Sequence, residues 1–271
     1  MPELPEVETT RRGLLDAMTG QSISAVRVHE PRLRWPIEAD LPLRLTGARV
    51  ERLERRAKYL LVITDRGTLI IHLGMSGSLR VAPASLPLRL HDHVELQLGD
   101  DRAVRFNDPR RFGSMHLVKG DPLAHPLLAG LGPEPLSEDF DGRHLFQTSR
   151  RRKTPIKIFL MNAAHVVGVG NIYASESLFH AGIRPTKMAG KLTQAECMRL
   201  AGEVKRVLGD AIEVGGTTLR DYVDPEGNPG YFRQRLFVYE RAGKACRRCS
   251  TPITHKVLAQ RSTYWCSTCQ R

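Results

Sequence analysis

The sequence predicts an α+β, multidomain chain: an N-terminal helix and a β-sandwich or barrel, then a helical region, then a small cysteine-bearing hairpin. Three observations predict it. Apolar residues recur with helical spacing as far as Met18, then with a period of two from Ser22 to Val118. The helical period returns after residue 142. Four of the five cysteines form two Cys-x2-Cys pairs near the C-terminus. At 271 residues the chain is long enough for more than one domain.

Each element has a local reason. Residues 3–18 read as a helix: Pro2, Glu3, Glu6 and Glu8 favour its start, Val7, Leu14 and Met18 share a face, and Gly20 follows its end. Val26 and Val28 begin the alternating pattern. Residues 59–63 and 68–73 are apolar, β-branched runs on either side of Asp65-Arg66-Gly67, which predicts a hairpin. Residues 78–81, 94–98, 103–106 and 115–118 continue the strand spacing. A first domain over 1–130 follows, and the Pro, Gly and acidic residues of 131–142 predict a linker. Helices are expected at 141–149, 155–162, 171–181 and 193–214, the last opened by a Thr193-x-x-Glu196 capping box. Within this second domain, 143–240, residues 215–231 contain Gly and Pro without a clear period, which marks a loop that is either functional or disordered. Residues 241–271 form the cysteine module.

Charge narrows the function. Lys and Arg number 41 against 29 Asp and Glu, a formal net charge of +12, which calls for a polyanionic partner such as nucleic acid. No apolar run approaches the ~20 residues that cross a bilayer, so no membrane association is expected. The acidic N-terminus lacks the basic and apolar regions of an export signal, which predicts a cytoplasmic protein. Reduced cysteines at this spacing point to metal over disulfides. Cys246, Cys249, Cys266 and Cys269, with 16 residues between the pairs, match a four-thiolate zinc ribbon holding one structural Zn²⁺ with no open position for catalysis. Arg247, Arg248, Lys256 and Arg261 make the hairpin basic. Cys197 lies on a helical apolar face and reads as core.

Other segments carry chemistry with less specificity. Gly168-Val169-Gly170-Asn171 feeds a helix N-terminus, where backbone N–H groups can receive a phosphate. Asn107-Asp108-Pro109-Arg110-Arg111-Phe112-Gly113 sets guanidinium groups and an aromatic on a turn, able to read or wedge a base stack. Met75, at a glycine-flanked turn, is either a second wedge or a core plug. Arg150-Arg151-Arg152-Lys153 is a cationic run, and His91-Asp92-His93 lacks a third metal ligand and reads as a polar DNA contact. Removal of Met1 would leave Pro2 as a secondary amine beside Glu3. An α-amino group with pKa about 8 is neutral roughly one time in ten at pH 7, whereas a lysine near 10.4 is neutral only a few times in ten thousand. By itself this start is equally a plain helix N-terminus.

Together these segments resemble the formamidopyrimidine-DNA glycosylase family. The resemblance rests on Pro2-Glu3-Leu4-Pro5-Glu6-Val7-Glu8, Arg56-Ala57-Lys58-Tyr59-Leu60, His72-Leu73-Gly74-Met75-Ser76-Gly77 and Asp108-Pro109-Arg110-Arg111-Phe112-Gly113. It continues through Gly168 to Glu176 and the four cysteines, so it covers essentially the whole chain in order. Leu4-Pro5-Glu6-Val7 favours this branch over the related endonuclease VIII branch. The resemblance implies an N-terminal β-sandwich, a helix-two-turns-helix domain and a zinc finger. It implies a monomeric base-excision enzyme that removes oxidised purines from duplex DNA and cuts abasic sites. Pro2 would attack C1′, Glu3 would protonate the opening sugar, Lys58 would donate the proton for β-elimination, and Arg261 would assist δ-elimination. His91, Arg110, Lys153 and Asn171 match DNA contacts, while Met75, Arg110 and Phe112 match the group that fills the space of an extruded base. Lys157 is a further lesion-site candidate. A different class, a non-catalytic zinc-ribbon protein that binds damaged or bent DNA, would share the charge and the metal but would not need Pro2, Glu3 and Lys58 together.

Overall fold

The structure, a computed structural model, describes residues 2–216 and 235–271. Most of the expected 215–231 loop thus lies outside the described residues. The chain divides into two compact units. The first takes in the chain as far as Ala129, with Val214 to Gly216, and the second takes in Gly130–Glu213 and the C-terminal stretch to Arg271.

In the first unit, α1 (Leu4–Met18) starts at Glu3, whose N–H donates to the Glu6 carboxylate at 2.8 Å. That bond satisfies one of the donors a helix start leaves open. The strands are β1 (Ile23–Val28), β2 (Val50–Arg56), β3 (Tyr59–Thr64), β4 (Gly67–His72), β5 (Ser78–Pro83), β6 (Asp92–Leu98), β7 (Arg102–Asn107) and β8 (Ser114–Val118). A short helix, α2 (Leu41–Leu45), lies between β1 and β2. The strands form two four-stranded antiparallel sheets, in the orders β1-β6-β7-β5 and β2-β3-β4-β8.

One apolar core joins the two sheets: Val94, Leu96, Val104 and Phe106 from the first, and Leu53, Leu60, Val62, Leu69, Ile71 and Leu117 from the second. The alternation of inward and outward residues is what two stacked sheets require, and it settles the sandwich over the barrel. Val7, Leu14 and Met18 enter the same core, so the stripe read on α1 is its buried face. The expected hairpin forms, with Thr64 paired to Gly67 across Asp65-Arg66. Gly67 has φ +136°, and a Cβ there would lie 2.6 Å from the Val118 carbonyl oxygen, so only glycine fits.

The second unit contains α3 (Gly142–Ser149), α4 (Ile156–Leu160), α5 (Asn171–His180) and α6 (Gln194–Glu213). Asp141 caps α3 by accepting the His144 N–H at 2.7 Å. The expected capping box opens α6, with Thr193 N–H to Glu196 at 2.9 Å and Glu196 N–H to Thr193 Oγ1 at 3.2 Å. Helix α6 packs on α3 and α5 and buries Cys197 with Leu200, Val204 and Leu208, so Cys197 is core. Residues 131–142, expected as a linker, pack within the second unit. Phe140 is fully buried, Gly132 N–H donates to the Ala163 carbonyl at 2.8 Å, and Lys205 Nζ donates to the Ser137 carbonyl at 2.8 Å. Composition suggested a linker because its few apolar residues are outnumbered by turn formers. The two strands β9 (Thr254–Leu258) and β10 (Arg261–Trp265) pair antiparallel. Among the described residues no helix is long and apolar enough to cross a membrane.

Candidate functional site

Pro2 and Glu3 are both buried at the mouth of α1, Glu3 with 1% of its surface exposed. Lys58 is half-buried on the turn between β2 and β3, just after Ala57, which has φ +56°. A strut connects the two. Arg55 donates through Nε to Glu8 of α1 at 3.3 Å and through Nη1 to the Ala57 carbonyl at 3.0 Å. Arg11 adds a bond to the Leu53 carbonyl at 3.3 Å. The helix that begins at Pro2 is thereby tied to the turn that carries Lys58. Burial alone would raise the Glu8 carboxyl, but hydrogen bonds from Arg11 and Arg12 and the charge of Arg55 hold it below the usual range. Glu6, 1% exposed, closes the other side: a Cβ on Gly216 would lie 2.9 Å from Glu6 Oε1, so the chain meets α1 as it enters the undescribed segment.

The same unit carries Met75, His91, Arg110 and Phe112. Met75 is half-buried on the turn after β4, whereas Arg110 and Phe112 are exposed on the turn between β7 and β8. The Arg110 guanidinium lies 4.8 Å from the Phe112 ring centroid, a cation–π pair presented to solvent. His72 accepts the Gly74 N–H on Nδ1 at 3.0 Å. Burial, then the charges of Lys58 and Arg34, push His72 down to about 4, so it is neutral at pH 7. His91 is half-buried with φ +71° and lies 6.0 Å from the His93 ring. The Asp92 carboxylate between them is engaged by Arg80, Arg89 N–H and Asn107.

The second unit holds Lys153, Asn171, Arg261 and the cysteines. Lys153 and Arg261 are exposed, Arg261 as the first residue of β10. Gly168, with φ +77°, turns the chain into α5, and Asn171 is its first residue. The Asn171 side chain shares a 3.3 Å hydrogen bond with the Tyr239 hydroxyl. Sequence reasoning gave Glu176 no role. It is 1% exposed and accepts the backbone N–H groups of Phe237, Val238 and Tyr239 at 2.8, 3.0 and 2.9 Å. Burial pushes this carboxyl up, and the three N–H bonds work against that. A lone glutamate on a helix gave no signal of partners some sixty residues away. Lys157 is fully buried, with Nζ donating to the Ser262 carbonyl at 2.7 Å and Thr263 Oγ1 at 2.9 Å, which pins the strand that carries Arg261.

The four cysteine sulfurs lie within 4.8 Å of one another, and no other cluster among the described residues could hold a metal with three or more such ligands. Cys246 and Cys269 sulfurs are 3.9 Å apart and those of Cys249 and Cys266 3.4 Å. A tetrahedral Zn²⁺ with bonds of about 2.3 Å needs sulfurs about 3.8 Å apart, so the residues fit the ion. Backbone N–H groups of Arg248 and Cys269 donate to the Cys246 and Cys266 sulfurs, each at 3.4 Å.

A β-sandwich with a buried N-terminal Pro-Glu, a helical domain and a four-thiolate zinc finger define the class of zinc-finger DNA glycosylases. Family models agree module by module: the formamidopyrimidine-DNA glycosylase N-terminal domain matches residues 1–115, its H2TH domain 131–223, and the zinc finger found in FPG and IleRS 243–271. The formamidopyrimidine-DNA glycosylases of Thioalkalivibrio sulfidiphilus and Stutzerimonas stutzeri are 57% and 56% identical over 271 residues, the whole of each chain. Among solved structures, MutM (FPG) from Thermus thermophilus is 41% identical with a TM-score of 0.89, covering 99% of this chain and 98% of that one. A Lactococcus lactis FPG mutant in complex with Fapy-dG-containing DNA is 34% identical with a TM-score of 0.93, covering all of both chains. This chain belongs to the formamidopyrimidine-DNA glycosylase family.

Proposed function

We propose that this chain is a bifunctional base-excision enzyme that removes oxidised purines, 8-oxoguanine and formamidopyrimidines, from duplex DNA and then cuts the strand as an abasic-site lyase. The observation that carries the reading is the burial of Pro2 and Glu3 at the start of α1, on the sandwich that also presents Lys58 and the Arg110–Phe112 tip. The target must leave the stack before its sugar can be reached, which costs a few kcal/mol. Met75, Arg110 and Phe112 occupy the vacancy and offset that cost. With Met1 removed, the Pro2 nitrogen forms a bond to C1′ as the C1′–base bond breaks and the base departs with a proton. Glu3 protonates the ring oxygen as the sugar opens, leaving a cationic iminium between Pro2 and C1′. The iminium acidifies C2′–H; that proton passes to the Glu3 carboxylate as the C3′–O bond breaks and the 3′ phosphate leaves, protonated through Lys58. In a second elimination assisted by Arg261, the C4′ proton passes to water as the C5′–O bond breaks and the 5′ phosphate leaves. Water then hydrolyses the iminium and frees Pro2. Lys153, Asn171 and His91 hold phosphates.

The zinc ion supplies structure alone, since four thiolates leave it no open position. The domain organisation proposed is a catalytic sandwich over 1–130, a helix-two-turns-helix domain over 143–240 and a zinc finger over 241–271. The protein acts as a monomer on nucleoid DNA in the cytoplasm. Borohydride reduction during turnover tests the chemistry, because it converts the iminium into a stable protein–DNA adduct at Pro2. Protein confirmed to begin at Pro2 that binds an oxidised-purine duplex yet yields no adduct would leave the non-catalytic DNA-binding reading standing.

A further inference from the structure

Every polar group of Asp108 is engaged, and the partners lie in three separate segments that carry the DNA-facing tips. Its side chain is fully buried. Oδ1 accepts the Ser76 hydroxyl at 2.7 Å and Oδ2 accepts the Gly113 N–H at 2.8 Å. Its N–H donates to the His91 carbonyl at 3.1 Å, and its carbonyl accepts the Arg111 N–H at 3.1 Å. The same carbonyl lies 2.8 Å from His93 Nε2, which must be the donor. Ser76, 3% exposed, also accepts the Arg110 N–H at 3.3 Å. The turn bearing Met75 and the turn bearing Arg110 and Phe112 therefore meet on the Asp108 carboxylate and the Ser76 hydroxyl, and the segment bearing His91 is held by the Asp108 backbone.

Glycines make the approach possible. A Cβ on Gly74 would lie 2.4 Å from the Phe112 carbonyl carbon and 2.5 Å from Gly113 N. A Cβ on Gly113 would lie 2.6 Å from the Phe106 ring and 3.1 Å from Asp108 Oδ2. The two turns thus touch backbone to backbone, one carrying half-buried Met75 and the other exposed Phe112.

We infer that Asp108 and Ser76 are positioning residues that hold Met75, Arg110 and Phe112 as one preassembled wedge, so that insertion into DNA requires no ordering of the turns. This rests on the wedge role proposed above. A side chain held in place before binding loses less conformational entropy on insertion than one on a free loop. The clasp touches no DNA and takes no part in bond breaking. Its loss should therefore slow base extrusion and leave the chemistry on an already base-free site largely intact.

The test compares two duplexes under single turnover, one with an oxidised purine paired in the stack and one with a preformed abasic site, with a fluorescent base analogue beside the lesion to report unstacking. Ser76→Ala removes one charge-assisted hydrogen bond and should slow unstacking and excision about tenfold, equivalent to about 1.4 kcal/mol, while abasic-site cleavage changes less than about threefold. Asp108→Ala should act in the same direction and more strongly. Asp108→Asn should recover most of the rate, because its oxygen can still accept from Gly113 while its NH₂ donates to Ser76 Oγ. Should Asp108→Ala fail to fold, Ser76→Ala and Asp108→Asn carry the comparison. Equal losses on both duplexes, or slower excision with unstacking unchanged, would overturn the inference in favour of a general structural role. Met75→Ala and Phe112→Ala separate the two levels. If they spare unstacking, the wedge role itself falls; if they slow it and Ser76→Ala does not, only the clasp is refuted.

Discussion

Removal of zinc is the sharpest test of how the C-terminal module is built. Among the described residues the apolar cluster under the hairpin has nine members, and four of them are Cys246, Cys249, Cys266 and Cys269. Strand β9 has no buried residue, and the fully apolar burial that the hairpin supplies from its own non-ligand side chains is mainly Ile253 and Trp265. Two such side chains are worth ~3–6 kcal/mol, whereas a structural zinc in a small module supplies ~10–16 kcal/mol. The metal therefore dominates, and chelation should unfold the hairpin. Exposed Lys256 and Arg261 lose their fixed positions with it. If each neutralises one phosphate, the slope of log affinity against log salt should shrink by about 1.8. Far-UV circular dichroism, metal analysis and binding titrations across salt concentrations provide the assay, and Cys249→Ser should move all three alike. Protein verified to be zinc-free that keeps its hairpin signal, its salt slope and its activity would refute the reasoning.

Folded His72 titrates at about 4 while the unfolded side chain takes up its proton near 6.5, so the unfolded state binds more protons between those values and stability should fall as pH drops through that window. Unfolding free energy measured against pH should show a shallower fall in His72→Gln. Glu8→Gln removes the carboxylate that Arg55 and Arg11 share; it should cost about 1–3 kcal/mol in denaturant unfolding and slow strand cleavage more than adduct formation, by loosening the Lys58 turn. Unchanged cleavage in a destabilised variant would discard the strut. Lys153→Ala should lower the salt slope by about 0.9 and leave single-turnover excision at saturating enzyme intact. For Arg261→Ala, gel separation of cleavage products should show β-elimination ends accumulating over δ-elimination ends.

Legibility followed the range of the interactions involved. The hairpin at Asp65-Arg66-Gly67, the capping box at Thr193 and the cysteine pairs are contained in a few consecutive residues, and all three stand in the structure as the sequence predicts. Strand β2 escaped because Val50 and Leu53 are three apart amid charged residues, and only pairing with β3 makes that segment a strand. The packing of the 131–142 segment was not legible because its partners, Ala163 and Lys205, lie 31 and more residues away. Motif resemblance supplied the candidate tips Met75, Arg110 and Phe112, but nothing local marked Asp108 and Ser76 as the residues beneath them. Their hydrogen bond spans 32 positions.

The sequence by itself determined the order of modules, the basic charge that suits DNA, the zinc ligands and a Pro2-Glu3 start placed on a helix, because periodicity, charge and ligand spacing are written in short stretches. Only the tertiary structure decided that two sheets stack as a sandwich with α1 in the same core, that Glu8 and Arg55 couple the Pro2 helix to the Lys58 turn, that Glu176 secures the Tyr239 segment, and that one buried aspartate, through its side chain and backbone, gathers three segments. Those are contacts between residues far apart in the chain, set by which faces must leave water together and which buried polar groups must find partners there.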